Sequence, residues 1–357
     1  MRIAVVTPNP PSEVGGVERF TKYISEMLIN DGYSVDIICK DLLANYQNEW
    51  LLRSQIREAY LAFRLGNIAK NRNLKNRYDW YIANGMFGWN LPHDKTINVF
   101  HGTYLGFHNC TKNSRRIISK VQERIIYKPF EVLSTKSRYT VAVSDFTHEQ
   151  LRKYYGKSDV IVIPNAIDTK HFKPYDRMAA RKCMNLISNK KLILFLGRWE
   201  EAKGNKIFQE IISKHSDLLL GIYAGPGVIN HENIISLGSV DYNHLPLLYS
   251  ACDVLLFPSK FENCSYVLLE AMACGLPFVT SATGHALTLA KEIEFLKQYV
   301  VNQGDIVNYE KALFKLLNND SQYSFFRTMI IKIANDEYAL EGWYYKFKNL
   351  LLKKGEH

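Results

Sequence analysis

Glu262 and Glu270 stand eight positions apart in the stretch KFENCSYVLLEAMACGLPFVTS, residues 260–281, and the second lies inside an otherwise apolar run. A carboxylate placed there suits a ribose, whose two hydroxyls can both donate to it, as they do to the acidic residue of dinucleotide-binding folds. Arg198 and Lys203, five positions apart in LFLGRWEEAKGN, put a planar fork and a point charge into one loop. That combination holds a diphosphate. In TPNPPSEVGGVERF, Gly15 and Gly16 separate a strand-like run from a helical pattern. Glycines there let the backbone approach a ligand, and the helix N-terminus draws anions.

Each feature alone has a plainer meaning. Arg198 and Lys203 fit a solvated loop paired locally with Glu200 and Glu201, Glu270 a helix residue paired with a neighbouring cation, Glu262 a surface acid, and Gly15–Gly16 a tight turn. The glycine pair also lacks the GxGxxG spacing of a dinucleotide fingerprint. The set is more telling than its members, because the acids and cations follow one another in the order that brings them to a single crevice.

The elements that must position them alternate. In the first half RIAVVT, SVDIIC, WYIAN, TINVF, TVAVS and VIVIP read as strands, and VERFTKYISEMLINDG between the first two repeats Phe20, Ile24 and Leu28 at helical spacing. A second series begins at KLILFLG and continues with LLLGIYAG, IISLG, CDVLLFP and PFVTS. Short β-branched runs alternating with helices predict parallel α/β architecture. The polar, proline-containing PNAIDTKHFKPYDRMAARKCMNLISN between the series suits an interdomain connection. The expected division is a first domain over 1–165, a second over 166–337, and a last helix, 338–357, packing back on the first. Ligands of such sheets bind beyond the C-terminal ends of the strands. Pro258 ends one strand there, Glu262 falls in the next loop, and Ser265 is expected to cap a helix through Glu270. The backbone amides of Asn263, Cys264, Ser265, Tyr266 and Val267 would then face the phosphates.

A chain of 357 residues, 47% hydrophobic and 22% charged, can bury ample core. The start MRIAVVTPNPP has too short an apolar run for a secretory signal, and no stretch reaches the ~20 apolar residues of a membrane span. A cytoplasmic location is expected. The six cysteines, at 39, 110, 183, 252, 264 and 274, include no CxxC pair, which points to reduced core thiols. Net charge is +10 and uneven: residues 1–165 carry 23 Lys and Arg against 15 Asp and Glu, the rest 22 against 20. Two basic, helically spaced segments, 53–77 and 112–138, hold most of the excess. They suit an anionic membrane surface or an anionic acceptor as well as a merely solvated face. Nucleic acid is not expected, since no recognised binding module accompanies the charge.

GRWEEAKG followed by YSACDVLLFPSKFENCSYVLLEAMACGLPFVTS resembles the donor-binding half of the family 4 glycosyltransferases. GGVER, FHG, VAVSDFTHEQL, VIPNAIDTKHF, YAGPG and LGSVDYNHLPLLYSACDV resemble that family's landmarks in order. The resemblance implies the GT-B fold, two Rossmann-like parallel-sheet domains facing each other across a cleft. It implies that Arg198 and Lys203 bind the diphosphate of a nucleotide sugar, Glu270 its ribose and Glu262 the transferred sugar. By the same resemblance Gly16 lies against phosphate and sugar, Val240 in the loop that meets the base, and His101 near the anomeric centre. The chain departs from the family pattern at Asn263 and Ser265, where many members have glycine, at Ala166 in PNAID, and in SATGHALTLAKEI, which lacks a glutamate after its glycine.

The resemblance implies a retaining enzyme. Arg198, Lys203 and the helix N-terminus can stabilise the developing phosphate oxyanion without a metal, so neither metal nor cofactor is expected. The predicted course is front-face attack by the acceptor hydroxyl, with the leaving phosphate taking its proton. No acidic metal-binding cluster is visible in the sequence. The donor implied is a UDP or GDP sugar, less often an ADP sugar, and the acceptor a glycan or a lipid-linked precursor of a bacterial surface polysaccharide or glycolipid. Two alternatives are an epimerase on the same two-domain fold and a non-catalytic binding subunit, the second argued against by the intact set of Arg198, Lys203, Glu262 and Glu270. A nucleotide-sugar epimerase would consume donor without acceptor, and a non-catalytic nucleotide-sugar or glycan-binding subunit would turn over neither.

Overall fold

The computed structural model describes residues 1–43, 56–110 and 123–353. The chain forms two compact units, one made of Met1–Pro164 with the residues from Trp343 onward, the other of Asn165–Gly342.

The first unit contains β1 (Arg2–Val6), α1 (Gly16–Asn30), β2 (Ser34–Ile38), α2 (Arg57–Asn76), β3 (Trp80–Asn84), β4 (Thr96–Phe100), α3 (Tyr104–Cys110), α4 (Lys128–Ser134), β5 (Tyr139–Ala142), α5 (Asp145–Tyr155) and β6 (Ile161–Val162). Its six strands are parallel in the order β2-β1-β3-β4-β5-β6. Ile3, Ala4, Val5 and Val6 are all fully buried. A strand covered on both faces cannot alternate, so RIAVV reads as an unbroken apolar run.

The second unit contains α6 (Arg177–Cys183), β7 (Lys191–Leu196), α7 (Asn205–Lys214), β8 (Leu219–Ala224), β9 (Ile234–Ser236), α8 (Leu245–Ala251), β10 (Val254–Phe257), α9 (Tyr266–Ala273), β11 (Phe278–Ser281), α10 (His285–Glu292), β12 (Val300–Val301), α11 (Ile306–Leu317) and α12 (Asp320–Glu337). Its sheet is parallel in the order β12-β11-β10-β7-β8-β9. β7 and β10 pair through Leu255 with Leu194, so the loops that follow these two strands emerge side by side. The α/β expectation holds in both units. The additional strand is β12, an edge strand of two residues, too short to show a pattern in sequence.

A last helix, α13, spans Leu340–Leu352. Within the first unit, Trp343 and Phe347 meet Phe20 edge-on at 5.5 and 5.7 Å, and Asp31 accepts from the Tyr344 hydroxyl at 2.8 Å and pairs with Lys348 at 2.7 Å.

Of the basic segments, 53–55 and 112–122 lie outside the described residues. Helix α2 buries Leu61, Leu65 and Ala69 and exposes Phe63 and Leu74 among its cations. No helix among the described residues is long and apolar enough to cross a membrane. Cys39, Cys252, Cys264 and Cys274 are buried free thiols, as expected; Cys183 is free but exposed.

Candidate functional site

Strand β7 delivers Arg198 and Lys203. Its end is marked by Gly197, at φ +136°, a conformation that favours glycine. Trp199 then anchors the loop, its ring edge-on to Phe195 at 5.2 Å and to Tyr223 at 4.9 Å. Arg198 remains exposed and pairs with Glu200 at 3.0 Å. A short 3₁₀ turn, Glu201–Lys203, leads to Gly204 at φ +81°. Here a side chain has no room, because a Cβ would lie 2.2 Å from the carbonyl oxygen of Pro258. Glycine therefore lets this loop press against the loop leaving β10.

The two loops are stitched together. Lys260 N donates to the Ala202 carbonyl at 2.8 Å, and Glu201 accepts from Lys260 at 2.6 Å and Lys206 at 3.0 Å. Lys203 Nζ reaches Glu262 Oε1 at 2.6 Å, in a pair whose side chains are only 24% and 16% exposed. Of the local pairings that the sequence allows, Arg198 makes the one with Glu200; Lys203 crosses instead to Glu262.

Helix α9 follows that loop. Ser265 occupies its N-cap position in extended conformation, yet its hydroxyl accepts no bond from the helix, so the expected side-chain cap is not formed. The first turn is therefore not capped by its own N-cap side chain. Asn263, Ser265 and Val267 are half-buried, and Cys264 and Tyr266 are buried. Glu270 is 1% exposed and accepts from the Tyr249 hydroxyl of α8 at 2.5 Å. Val240 is half-buried in the loop after β9, between Gly238 at φ +68° and Asp241, whose carboxylate accepts from Asn243 N at 2.9 Å.

The first unit holds the remaining three residues. Gly15 and Gly16 are exposed at the start of α1, whose N-cap, Gly15, offers no side-chain acceptor. His101 follows β4. Its Nε2 lies 3.0 Å from Asn84 Oδ1, and its ring stands edge-on to Phe20 at 4.8 Å. Asn84 Nδ2 donates to Thr21 Oγ1 at 3.2 Å, and Thr21 donates onward to the Val17 carbonyl at 2.8 Å. This chain of donors turns Asn84 Oδ1 toward the imidazole and so assigns the ring proton to Nε2. Burial lowers the His101 pKa from 6.5 to about 3, and the ring is neutral.

Thus the structure brings Lys203 and Glu262 together at the start of α9, leaves Arg198 on Glu200 and sets Glu270 on Tyr249. Tyr249 and Asn84 are partners that the sequence reading missed; Tyr249 lies in the quoted LLYSACDV and Asn84 ends the strand WYIAN, but neither type announces a partner so many positions away. Among the described residues, no group of three or more His, Cys, Asp or Glu side chains could hold a metal ion.

Two family models match the chain in succession: Glycosyltransferase Family 4 over residues 14–171 and Glycosyl transferases group 1 over 190–319. An uncharacterized glycosyltransferase of Methanocaldococcus jannaschii is 26% identical over 96% of this chain and 95% of its own. Among solved structures, sucrose-phosphate synthase from Thermosynechococcus elongatus is similar with a TM-score of 0.80 and 16% identity over 98% of both chains. Anabaena HepE, in complex with UDP and glucose, is similar with a TM-score of 0.71 and 15% identity over 99% of both chains. The paired matches span well over half of the sequence, and the likeness of fold runs from end to end: the chain belongs to the family 4 glycosyltransferases of the GT-B fold.

Proposed function

We propose that this glycosyltransferase moves a sugar, with retention of configuration, from a UDP or GDP sugar to a glycan or lipid-linked acceptor of bacterial surface polysaccharide or glycolipid synthesis. The observation that carries the reading is the Lys203–Glu262 pair at the uncapped start of α9. A cation, a carboxylate and a helix N-terminus meet there, which suits a diphosphate and the sugar attached to it. The solved likeness of HepE with UDP and glucose supports a nucleotide-sugar donor.

In this reading the expected domain over 166–337, which falls within the second unit, is the nucleotide-sugar domain. Lys203, Arg198 and the amides of Asn263 to Val267 neutralise the departing diphosphate, so no metal is required for that charge. Glu270 accepts from the ribose hydroxyls and Val240 lines the base. Glu262 holds the transferred sugar. The domain over 1–165 takes the acceptor, and Gly15, Gly16 and His101 are its proposed ligand-facing residues. Residues 338–357 return to the first domain. With Nε2 bonded to Asn84, His101 offers Nδ1, which accepts from a sugar hydroxyl and does not donate to it. The acceptor hydroxyl attacks on the face the diphosphate leaves, and a phosphate oxygen takes its proton.

Helix α2 supports a peripheral site at the inner membrane face. It carries five cations, Arg57, Arg64, Lys70, Arg72 and Lys75, against Glu58, and exposes Phe63 and Leu74. Such a surface suits anionic lipid.

Incubation of UDP, GDP and ADP sugars with and without glycan and lipid-linked acceptors tests the reaction. Transfer giving the donor's anomeric configuration, lost in Lys203→Ala and Glu270→Ala with the fold intact, is the expected result. Donor conversion without acceptor would indicate epimerisation instead, and undiminished transfer by both variants would refute the site. Cosedimentation with anionic but not zwitterionic vesicles, lost in Phe63→Glu, tests the membrane reading.

A further inference from the structure

The loop between Glu262 and helix α9 is gripped from behind by buried groups that make none of the contacts assigned above. Asn165 Nδ2 donates to the Cys264 carbonyl at 2.8 Å, and the backbone N–H of His285 donates to the Asn263 carbonyl at 2.7 Å. Gly284, at φ +57°, seats the same loop: a Cβ there would stand 2.4 Å from the Glu262 carbonyl oxygen and 2.6 Å from that of Asn263. His285 is held in turn. Its Nε2 and the Tyr338 hydroxyl are hydrogen-bonded at 2.6 Å, with the rings edge-on at 5.3 Å. Asn165, His285 and Tyr338 are 4%, 5% and 6% exposed.

These two supports share a base. Ile167 N donates to the Tyr338 carbonyl at 2.8 Å, and Ile167 pairs with Ala339 in a parallel bridge. One segment reaches the loop through Asn165, the other through Tyr338 and His285.

The peptide plane converts this grip into aim. A carbonyl and the N–H of the next residue point in opposite directions across a trans peptide. Fixing the Asn263 carbonyl on His285 therefore turns the N–H of Cys264 away from that support, and fixing the Cys264 carbonyl on Asn165 does the same for the N–H of Ser265. Neither N–H donates to a protein acceptor among the described residues. Burying three polar side chains behind one loop is costly unless each is bonded: Asn165 bonds the loop carbonyl directly, and His285 and Tyr338 bond each other and so fix the residue whose backbone N–H holds the second carbonyl.

We propose that Asn165, His285 and Tyr338 are positioning residues for the donor diphosphate, holding the N–H groups of Cys264 and Ser265 toward it. This rests on the nucleotide-sugar reading of the second unit. It adds specific partners that act through the backbone and touch no substrate.

The test is calorimetric titration of whichever of UDP, GDP and ADP the wild-type protein binds, together with the matching nucleoside. Tyr338→Phe and His285→Ala are expected to weaken diphosphate binding about three- to tenfold, the worth of one neutral hydrogen bond. Nucleoside binding is unchanged, donor KM rises in proportion, and kcat and acceptor KM hold. His285→Gln, whose amide nitrogen reaches the place of Nε2, is expected to restore most of the loss. A merely structural role would lower the melting temperature and leave the gain in affinity from nucleoside to diphosphate as in the wild type; that result, or equal losses for both ligands, overturns the proposal. Should His285→Ala fail to fold, Tyr338→Phe and His285→Gln still decide it. If the wild type binds none of the three diphosphates, the donor-site reading itself falls and takes this one with it.

Discussion

Lys203 and Glu262 meet at 2.6 Å although they leave the sheet on different strands, β7 and β10, and 59 residues apart. The contact exists because those strands are neighbours and because Gly204 admits the Pro258 carbonyl against its backbone. The cation proposed to meet a phosphate is thus already paired with a carboxylate. On the proposed reading, a donor competes with Glu262 for it.

That competition sets the first prediction. Glu262→Gln frees Lys203 and is expected to strengthen binding of the nucleoside diphosphate about two- to fivefold, the worth of a modest ion pair. Transfer by the same variant falls at least about tenfold, because the sugar exchanges a charged two-oxygen acceptor for a neutral amide with one oxygen. Lys203→Ala weakens both. Calorimetry with the diphosphate beside a transfer assay measures each quantity, and a Glu262→Gln protein that binds diphosphate more weakly than the wild type contradicts the competition.

Much of this arrangement was legible in the sequence, for identifiable reasons. Strands buried on both faces are continuous apolar runs, so β7 and β10 stood out, and the loops after parallel strands are where ligand groups gather. Lys203 and Glu262 could therefore be placed in one crevice. The Tyr249 hydroxyl on Glu270, 21 residues away, and the Tyr338 hydroxyl on His285, 53 residues away, could not. Both depend on how helices pack over the sheet, which no local spacing encodes. Ser265 shows the opposite limit: the residue type fits an N-cap, and the backbone takes the cap position, but the hydroxyl bond is not made.

The second unit depends on a buried charge cluster outside the ligand site. Asp253, 3% exposed, accepts from Arg177 at 2.9 Å, Arg181 at 2.6 Å and Leu192 N at 2.7 Å. Tyr323 closes the group, accepting from Arg177 at 2.5 Å and donating to the Asp253 carbonyl at 2.8 Å. Removing the acid strands two guanidinium groups. Asp253→Ala is expected to cost roughly 3 kcal/mol in urea unfolding, the range for a broken buried pair. A loss near zero would mean that solvent reaches both arginines.

His101 makes stability acid-sensitive. Burial takes its pKa from 6.5 in the unfolded chain to about 3 in the folded one. Between these values the unfolded chain binds a proton that the native ring refuses, so this contribution is complete above pH 6.5 and lost as pH falls toward 3. His101→Gln, which can keep a donor to Asn84, is expected to flatten the melting-temperature curve between pH 6.5 and 4. The wild-type imidazole signals should show no titration of this ring from pH 8 down to 5. A midpoint inside that window would place the ring in water.

Glu131 acts with the opposite sign. It is 2% exposed on α4, accepts from Tyr104 N at 3.3 and 3.2 Å on its two oxygens, and receives the hydroxyl of Tyr155. Burial raises its pKa from 4.5 to about 8, and the bonds from Tyr155 and Tyr104, which favour the anion, only partly offset this. From pH 4.5 to 8 the native protein therefore holds a proton that the unfolded chain has released, and stability falls as pH rises through that interval. Glu131→Gln keeps an oxygen for Tyr155 and has no proton to lose. Relative to the wild type, the variant is expected to gain roughly 1–3 kcal/mol between pH 5 and pH 9, read from urea unfolding at both pH values. Unfolding curves that shift in parallel with pH for both proteins would show that Glu131 is already ionised in the folded state.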